Sequence, residues 1–238
     1  MIAVRSSLSL VVAAAALVLG GASGLAACGG DSQEPAKPAS KDAVPASLRT
    51  AESASEDIID LALQHDRAGV VARAKVLTAV ADGPAATALR RSGAPAAEIV
   101  EFQRRAAAVA RVSADAPLLD VALASNAAFE LVPAFFARYD DPVPATVLKL
   151  DYLDFAAKLR SLQGDERALG AAVRSLERTW GRLRPHVVAA GGEKVAPLFD
   201  AHVGAMRALA ANRQPAKTQK EAQHGLDLVD EVESVYSG

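Results

Sequence analysis

Cysteine is almost missing from this chain: Cys28 is the only one in 238 residues. One thiol excludes a disulfide framework, a cysteine-built zinc site and the CxxCH attachment of covalent haem. Aromatic residues are scarce as well, at 4% with a single tryptophan, so a core must be filled mostly by Ala, Leu and Val. Neither sign of charge dominates, with 26 Lys and Arg against 28 Asp and Glu, and nothing in that balance draws the chain to a nucleic acid. The apolar run at residues 8–19 is well short of the ~20 residues that span a bilayer as a helix. Strand-period alternation is absent. So are GxSxG, SxxK, GxxxxGK, GxGxxG and HExxH, the motifs that seat a nucleophile, a phosphate or a zinc ion. The residues therefore read as those of a non-enzyme.

What is present begins with a leader. Arg5, the apolar run and the small residues Gly20, Gly21, Ala22, Ser23 and Gly24 make a secretory signal peptide over residues 1–27. The tetrad Leu25-Ala26-Ala27-Cys28 that follows resembles the lipobox of bacterial lipoproteins. That resemblance implies cleavage before Cys28, a diacylglyceryl group on its sulfur and a further acyl chain, typically palmitate, on its new amine. Each buried acyl CH₂ contributes ~0.8 kcal/mol, so two or three chains form a firm membrane anchor. The expected location is the cell envelope. With Gly29 rather than aspartate after the cysteine, the resemblance favours the periplasmic or surface face of the outer membrane in a two-membrane bacterium. In a one-membrane bacterium it implies the outer face of the cell membrane. Arg5 is the only charge in residues 1–27, so the mature chain keeps 25 basic against 28 acidic residues, a net −3. Residues 28–47 hold the lipidated cysteine and a Gly-, Pro-, Ser- and Lys-containing stretch without apolar periodicity, a flexible tether with a reach of roughly 25 Å.

The remaining chain repeats itself. Leu63-Gln64-His65-Asp66 is answered by Leu162-Gln163-Gly164-Asp165, and the same offset pairs Leu77 with Leu176, Gly93 with Gly192, and Ile99-Val100-Glu101 with Leu198-Phe199-Asp200. After a shorter loop in the second copy, Phe129-Glu130-Leu131-Val132 meets Leu226-Asp227-Leu228-Val229 and Tyr139 meets Tyr236. Apolar residues recur at helical spacing in both copies, for example at Leu48, Ala51, Ile58 and Leu61 and at Val147, Leu150, Leu153 and Ala157. The expected fold is all-α: a tandem duplicated helical bundle with two repeats of about four helices, at 48–141 and 142–238. A helical-hairpin solenoid is the alternative. Asp66 and Asp165 are the expected N-caps of the second helix of each copy, which runs over 66–91, interrupted at Gly83-Pro84, and over 165–190 with Pro185 inside it. The fourth helices are expected over 117–139 and 218–236.

Few residues offer chemistry. His202 and Met206 share a helix face, a spacing that gives an imidazole and a thioether to copper or haem iron, with His186 as a third ligand. A periplasmic metal- or haem-binding bundle is therefore the alternative function, beside the leading expectation of no cofactor at all. Trp180, next to the kink that Pro185 imposes, is a candidate wall of a ligand pocket, with Arg184 at its end. Arg174, Arg178 and Arg182 lie on one helix face, suited to an anion or a headgroup but expected to be a solvated stripe. The paired acids Asp151 with Asp154, and Glu231 with Glu233, are expected on solvated helix faces too. The leading functional expectation is a membrane-anchored helical module that binds an envelope protein or a small ligand, and no nucleic acid.

Overall fold

The structure, a computed structural model, describes residues 42–237. The leader, Cys28 and the tether up to residue 41 lie outside the described residues. Residues 42–47, expected as the end of the tether, belong to the fold. Asp42 and Ala43 already bridge to Asp140, Val44 is buried, and Pro45, with φ −61°, stands at the N-cap of the first helix.

Ten helices make up the described residues: α1 (Ala46–Leu63), α2 (Arg67–Asp82), α3 (Pro84–Arg91), α4 (Ala96–Ser113), α5 (Leu118–Phe129), α6 (Val132–Phe136), α7 (Ala145–Gln163), α8 (Glu166–Ala189), α9 (Ala196–Ala211) and α10 (Pro215–Ser237). The protein is an all-α bundle. In the first half α1, α2, α4 and α5 pack in a ring, each against the next and α5 back on α1; α7, α8, α9 and α10 do the same in the second half.

Local chemistry sets the helix ends. Asp66 Oδ1 accepts from the Gly69 amide at 3.0 Å and Asp165 Oδ1 from the Ala168 amide at 2.9 Å, two N-caps as the sequence indicates. The residue before each cap is left-handed, His65 at φ 62° and Gly164 at φ 75°. Further along, the left-handed positions are Gly93 and Gly191 rather than Gly192, so the 99-residue register slips by one at that turn. A Cβ on Gly192 would meet the Val187 side chain and backbone at 2.5 and 2.8 Å.

Two long helices of the first half are broken, one at Gly83-Pro84 as the sequence indicates and one, over 117–139, that the sequence reading ran together. Gly83 (φ −109°, ψ −101°) ends α2, and Pro84 starts α3. The 117–139 stretch divides at Glu130–Leu131 into α5 and α6. In contrast α8 runs through Pro185 without interruption. Leu118–Phe136 is apolar enough by composition to cross a membrane, but here half of it is buried against neighbouring helices.

Two apolar cores result. The first joins α1 to α6, the second α7 to α10, and α7 belongs to both: Leu148, Phe155 and Leu159 fill the first while Val147, Leu150, Leu153 and Ala157 fill the second. Phe129 meets Phe155 edge-on across the junction, with ring centroids 6.5 Å apart. Tyr152 packs against both cores. Helix α7 is therefore the spine of the molecule.

Candidate functional site

Helix α7 presents polar chemistry on two further faces. One face carries Asp154, which is fully buried. Its Oδ1 lies 3.1 Å from Nε2 of His202 on α9, whose Nδ1 lies 2.9 Å from Glu221 Oε1 on α10. With a carboxylate at each ring nitrogen, the imidazolium is the form that donates both bonds. Burial of His202 opposes that charge, but the bonds to Asp154 and Glu221 outweigh it and raise the affinity for the proton. Burial likewise lifts Asp154 above the usual carboxylate range, with His202 pulling the other way. The ring is wedged by Phe199 at 5.2 Å and His224 at 6.3 Å, both edge-on. Gly225 permits the approach of α10, because a Cβ there would stand 2.5 Å from His202 Nε2 and 2.6 Å from Asp154 Oδ2. Oδ2 itself has no partner.

This network changes the standing of the metal candidates. His202 and Met206 are both buried on α9, but His186 is exposed on α8. Both nitrogens of His202 are engaged, so the ring has no lone pair to offer in this arrangement. Among the described residues no group of three His, Cys, Asp or Glu side chains is gathered as a metal site.

Trp180 is a core anchor. Its ring stacks on Phe199 with centroids 4.4 Å apart, and its Nε1 donates to Asp200 Oδ1 at 2.7 Å. Arg184 binds the same carboxylate through Nε at 2.8 Å. Neither residue lines any of the three cavities discussed below, nor do Gly83, Pro84 or Pro185. Arg174, Arg178 and Arg182 are exposed, as expected of a solvated stripe.

The paired acids correct the sequence reading. Only Glu231 is exposed; Asp154 is core, and half-buried Asp151 on α7 and Glu233 on α10 interact electrostatically with Glu52 and Glu56 on α1. Burial first, then the neighbouring Glu233, pushes Glu52 up to about 8, with Arg49 opposing. Burial and then Asp230 push Glu233 up to about 7. Glu56 and Asp151 are raised for the same two reasons, burial and like charge. The missed signal was position: Asp151 and Asp154 sit among Leu150, Leu153, Phe155 and Ala157, on a helix buried nearly all round.

The other polar face of α7 lines a groove, which sequence reasoning did not find. Lys149, Tyr152, Ala156 and Arg160 form its floor, one wall is α5 with Leu123, Asn126, Ala127 and Glu130, and the other is α8 with Ala168, Ala171, Ala172 and Ser175. Small side chains on all three helices leave the space, a cavity of about 340 Å³. A second hollow of about 490 Å³ shares Glu130, Lys149 and Tyr152 and extends the groove toward α6 and Arg105. A third of about 160 Å³ adjoins the far end at Arg160. Asn126 is only 6% exposed, lines the groove, and its Oδ1 has no hydrogen-bond partner. Burial, and then Glu130, push the Tyr152 hydroxyl up to about 12, so it stays protonated and donates to that carboxylate. Glu130 is also held by Arg105 at 2.7 Å. Lys149 has no ion pair among the described residues, and Arg160 binds only the neutral Gln163, at 2.8 Å. The groove thus offers two cations without carboxylate partners among the described residues.

Comparison with family models, with characterised proteins and with solved structures finds no match to this chain.

Proposed function

We propose that this protein is a lipid-anchored, non-enzymatic binding module of the bacterial cell envelope, tethered through Cys28 and holding its ligand or partner in the groove along α7. The observation that carries the binding reading is the groove along α7, about 340 Å³, whose two cations, Lys149 and Arg160, lack carboxylate partners among the described residues. The anchor reading is supported by the leader and by the position of the only cysteine. The ring packing of four helices in each half supports an origin by tandem duplication, with the acidic cluster and the groove arising from differences between the halves.

The anchor is tested by growing cells with a clickable palmitate analogue. The wild-type chain should take up label and fractionate with membranes, while Cys28→Ser should be unlabelled and accumulate as precursor. A Cys28→Ser chain that is processed and released like wild type would overturn the lipoprotein reading. The non-enzymatic reading is tested with purified chain on a panel of ester, peptide, glycoside and phosphate substrates. Turnover that survives repurification and is lost on Lys149→Glu would contradict it.

A further inference from the structure

Charge on the surface is sorted by side. Arg167, Arg174, Arg178 and Arg182 are all exposed on α8, and at about 100° per residue they fall within roughly a quarter-turn of one another. Fifteen steps at ~1.5 Å each make this a stripe ~22 Å long. Among the described residues none of the four has a carboxylate partner, and Arg178 bonds only to Ser175 Oγ, at 3.0 Å. The acids of α8 are turned to its flank and already held, Glu177 by Arg207 and Glu166 by Arg213, each at 3.1 Å. Arg184, off the stripe, is engaged by Asp200. Between the arginines stand the exposed small residues Ala171 and Gly181, so no long side chain holds the helix away from a flat surface. We infer that α8 docks on an anionic lipid surface through Arg167, Arg174, Arg178 and Arg182, a second attachment that orients the body on the membrane holding Cys28. The inference rests on the lipid-anchor reading.

Two observations select a membrane over other acidic partners. The first is where the chain enters the fold. Residues 28–41 separate Cys28 from the described fold, and a chain of that length spans at most ~50 Å. It joins the fold at Asp42, whose carbonyl accepts from the Asp140 amide at 2.8 Å, just ahead of α7. Because α8 returns along α7 after the turn Gly164-Asp165, its C-terminal end with Arg182 lies at that same end of the bundle. The anchor therefore keeps the stripe within reach of the headgroups, where each arginine adds to the attraction of an anionic surface. The second is where the acids are. Lys149 and Arg160 face the groove beside the stripe, whose wall includes Ala171. Asp151, two residues after Lys149 and about 200° round α7, interacts with Glu56, Glu233 and Asp230 instead. A mature chain of net −3 with mixed charges would be pushed off an anionic surface; with basic groups on one side and acids on the other, the α8 side approaches and the acidic side stays away. Docking sets the mouth of the groove beside the headgroup layer.

The lipidated full chain reconstituted in vesicles tests this, with a spin label at Gly181→Cys on the stripe or at Glu231→Cys on α10 and a nickel-chelating lipid as relaxant in the headgroup layer. With Cys28 lipidated the introduced cysteine is the only free thiol, and a Cβ at position 181 meets open space. In vesicles of phosphatidylcholine with phosphatidylglycerol, the nickel should relax the label at 181 and not the one at 231; in phosphatidylcholine alone both should stay clear. Salt at ~1 M, where the Debye length falls to about 3 Å, should release position 181, a reversal that needs no further variant to fold. Arg174→Gln, Arg178→Gln and Arg182→Gln should each lower the docked-to-free ratio by about fivefold. Equal relaxation at 181 in both lipids, or relaxation at 231 instead, would overturn the docking. So would a label at 181 that phosphatidylglycerol leaves clear and added poly-glutamate immobilises, which would give the stripe to an acidic protein. A chain that fails to float even with neutral vesicles would overturn the anchor reading and this inference with it, whereas one that floats but leaves 181 clear of phosphatidylglycerol overturns the docking alone.

Discussion

At the scale of single residues, the strongest constraint is His202. Its ring holds two carboxylates from two helices, and one of them, Asp154, has no exposure to water at all. Removing one member of a buried charged pair is far costlier than the pair itself is worth, because the other charge is left without a partner. His202→Leu should therefore lower stability by about 3–5 kcal/mol, and adding Asp154→Leu to it should recover part of the loss. Thermal unfolding of both variants checks this, and a double variant no more stable than His202→Leu alone would show that the network is not a charge pair. The sequence made His202 visible as a chemical residue but gave it the wrong role. A histidine spaced four residues from a methionine suits a metal, and nothing local reveals that two acids, 48 and 19 residues away, claim both nitrogens. Asn126 was equally hidden, because an amide in an alanine-rich helix looks like any solvated residue until its neighbours are placed.

Among the elements, most boundaries were written locally. Asp66 and Asp165 cap, Gly164 turns, and Pro84 starts a helix because Gly83 ends the one before it. The break between α5 and α6 at Glu130–Leu131 is punctuated too, by Pro133 in the first turn of α6, which has no N–H to continue α5 by bonding the Phe129 carbonyl; the sequence reading passed over it. The turn between α1 and α2 offers a test of the local account. His65 occupies the left-handed conformation that Gly164 takes without cost at the corresponding turn. His65→Gly should stabilise the protein by about 0.5–1 kcal/mol after the extra entropy of glycine in the unfolded chain is allowed for. Denaturant melting would measure it, and a loss of stability would mean that the exposed imidazole makes contributions the backbone argument omits.

For the whole molecule, pH ties the second core to the first. Acids whose affinity for protons rises on folding are destabilising once charged, so their effect begins above the ordinary carboxylate value of 4.5 and is complete above the folded value. Glu52 at about 8 and Glu233 at about 7 place this window between roughly pH 4.5 and 8. His202 acts in the same direction, since its stabilisation is whole below 6.5 and fades as pH rises through its higher folded value. The melting temperature should therefore fall by about 5 °C between pH 5 and pH 8.5, allowing for solvent screening of the half-exposed glutamates. Glu52→Gln should flatten part of that slope, and a chain more stable at pH 8.5 than at pH 5 would contradict the buried acid cluster. The fold class was legible from apolar spacing alone. The cluster and the groove were not, because both depend on which faces of α7 turn toward α5, α8 and α10 and toward the acids of α1.

The central claim, that the face of α7 between α5 and α8 is where this protein binds, is tested most directly by photo-crosslinking in cells, with a photoreactive amino acid placed at Ala171 on the groove wall or at Arg184 outside it. The account predicts an adduct from position 171 and none from position 184. No adduct at 171, or an adduct confined to 184, would contradict it.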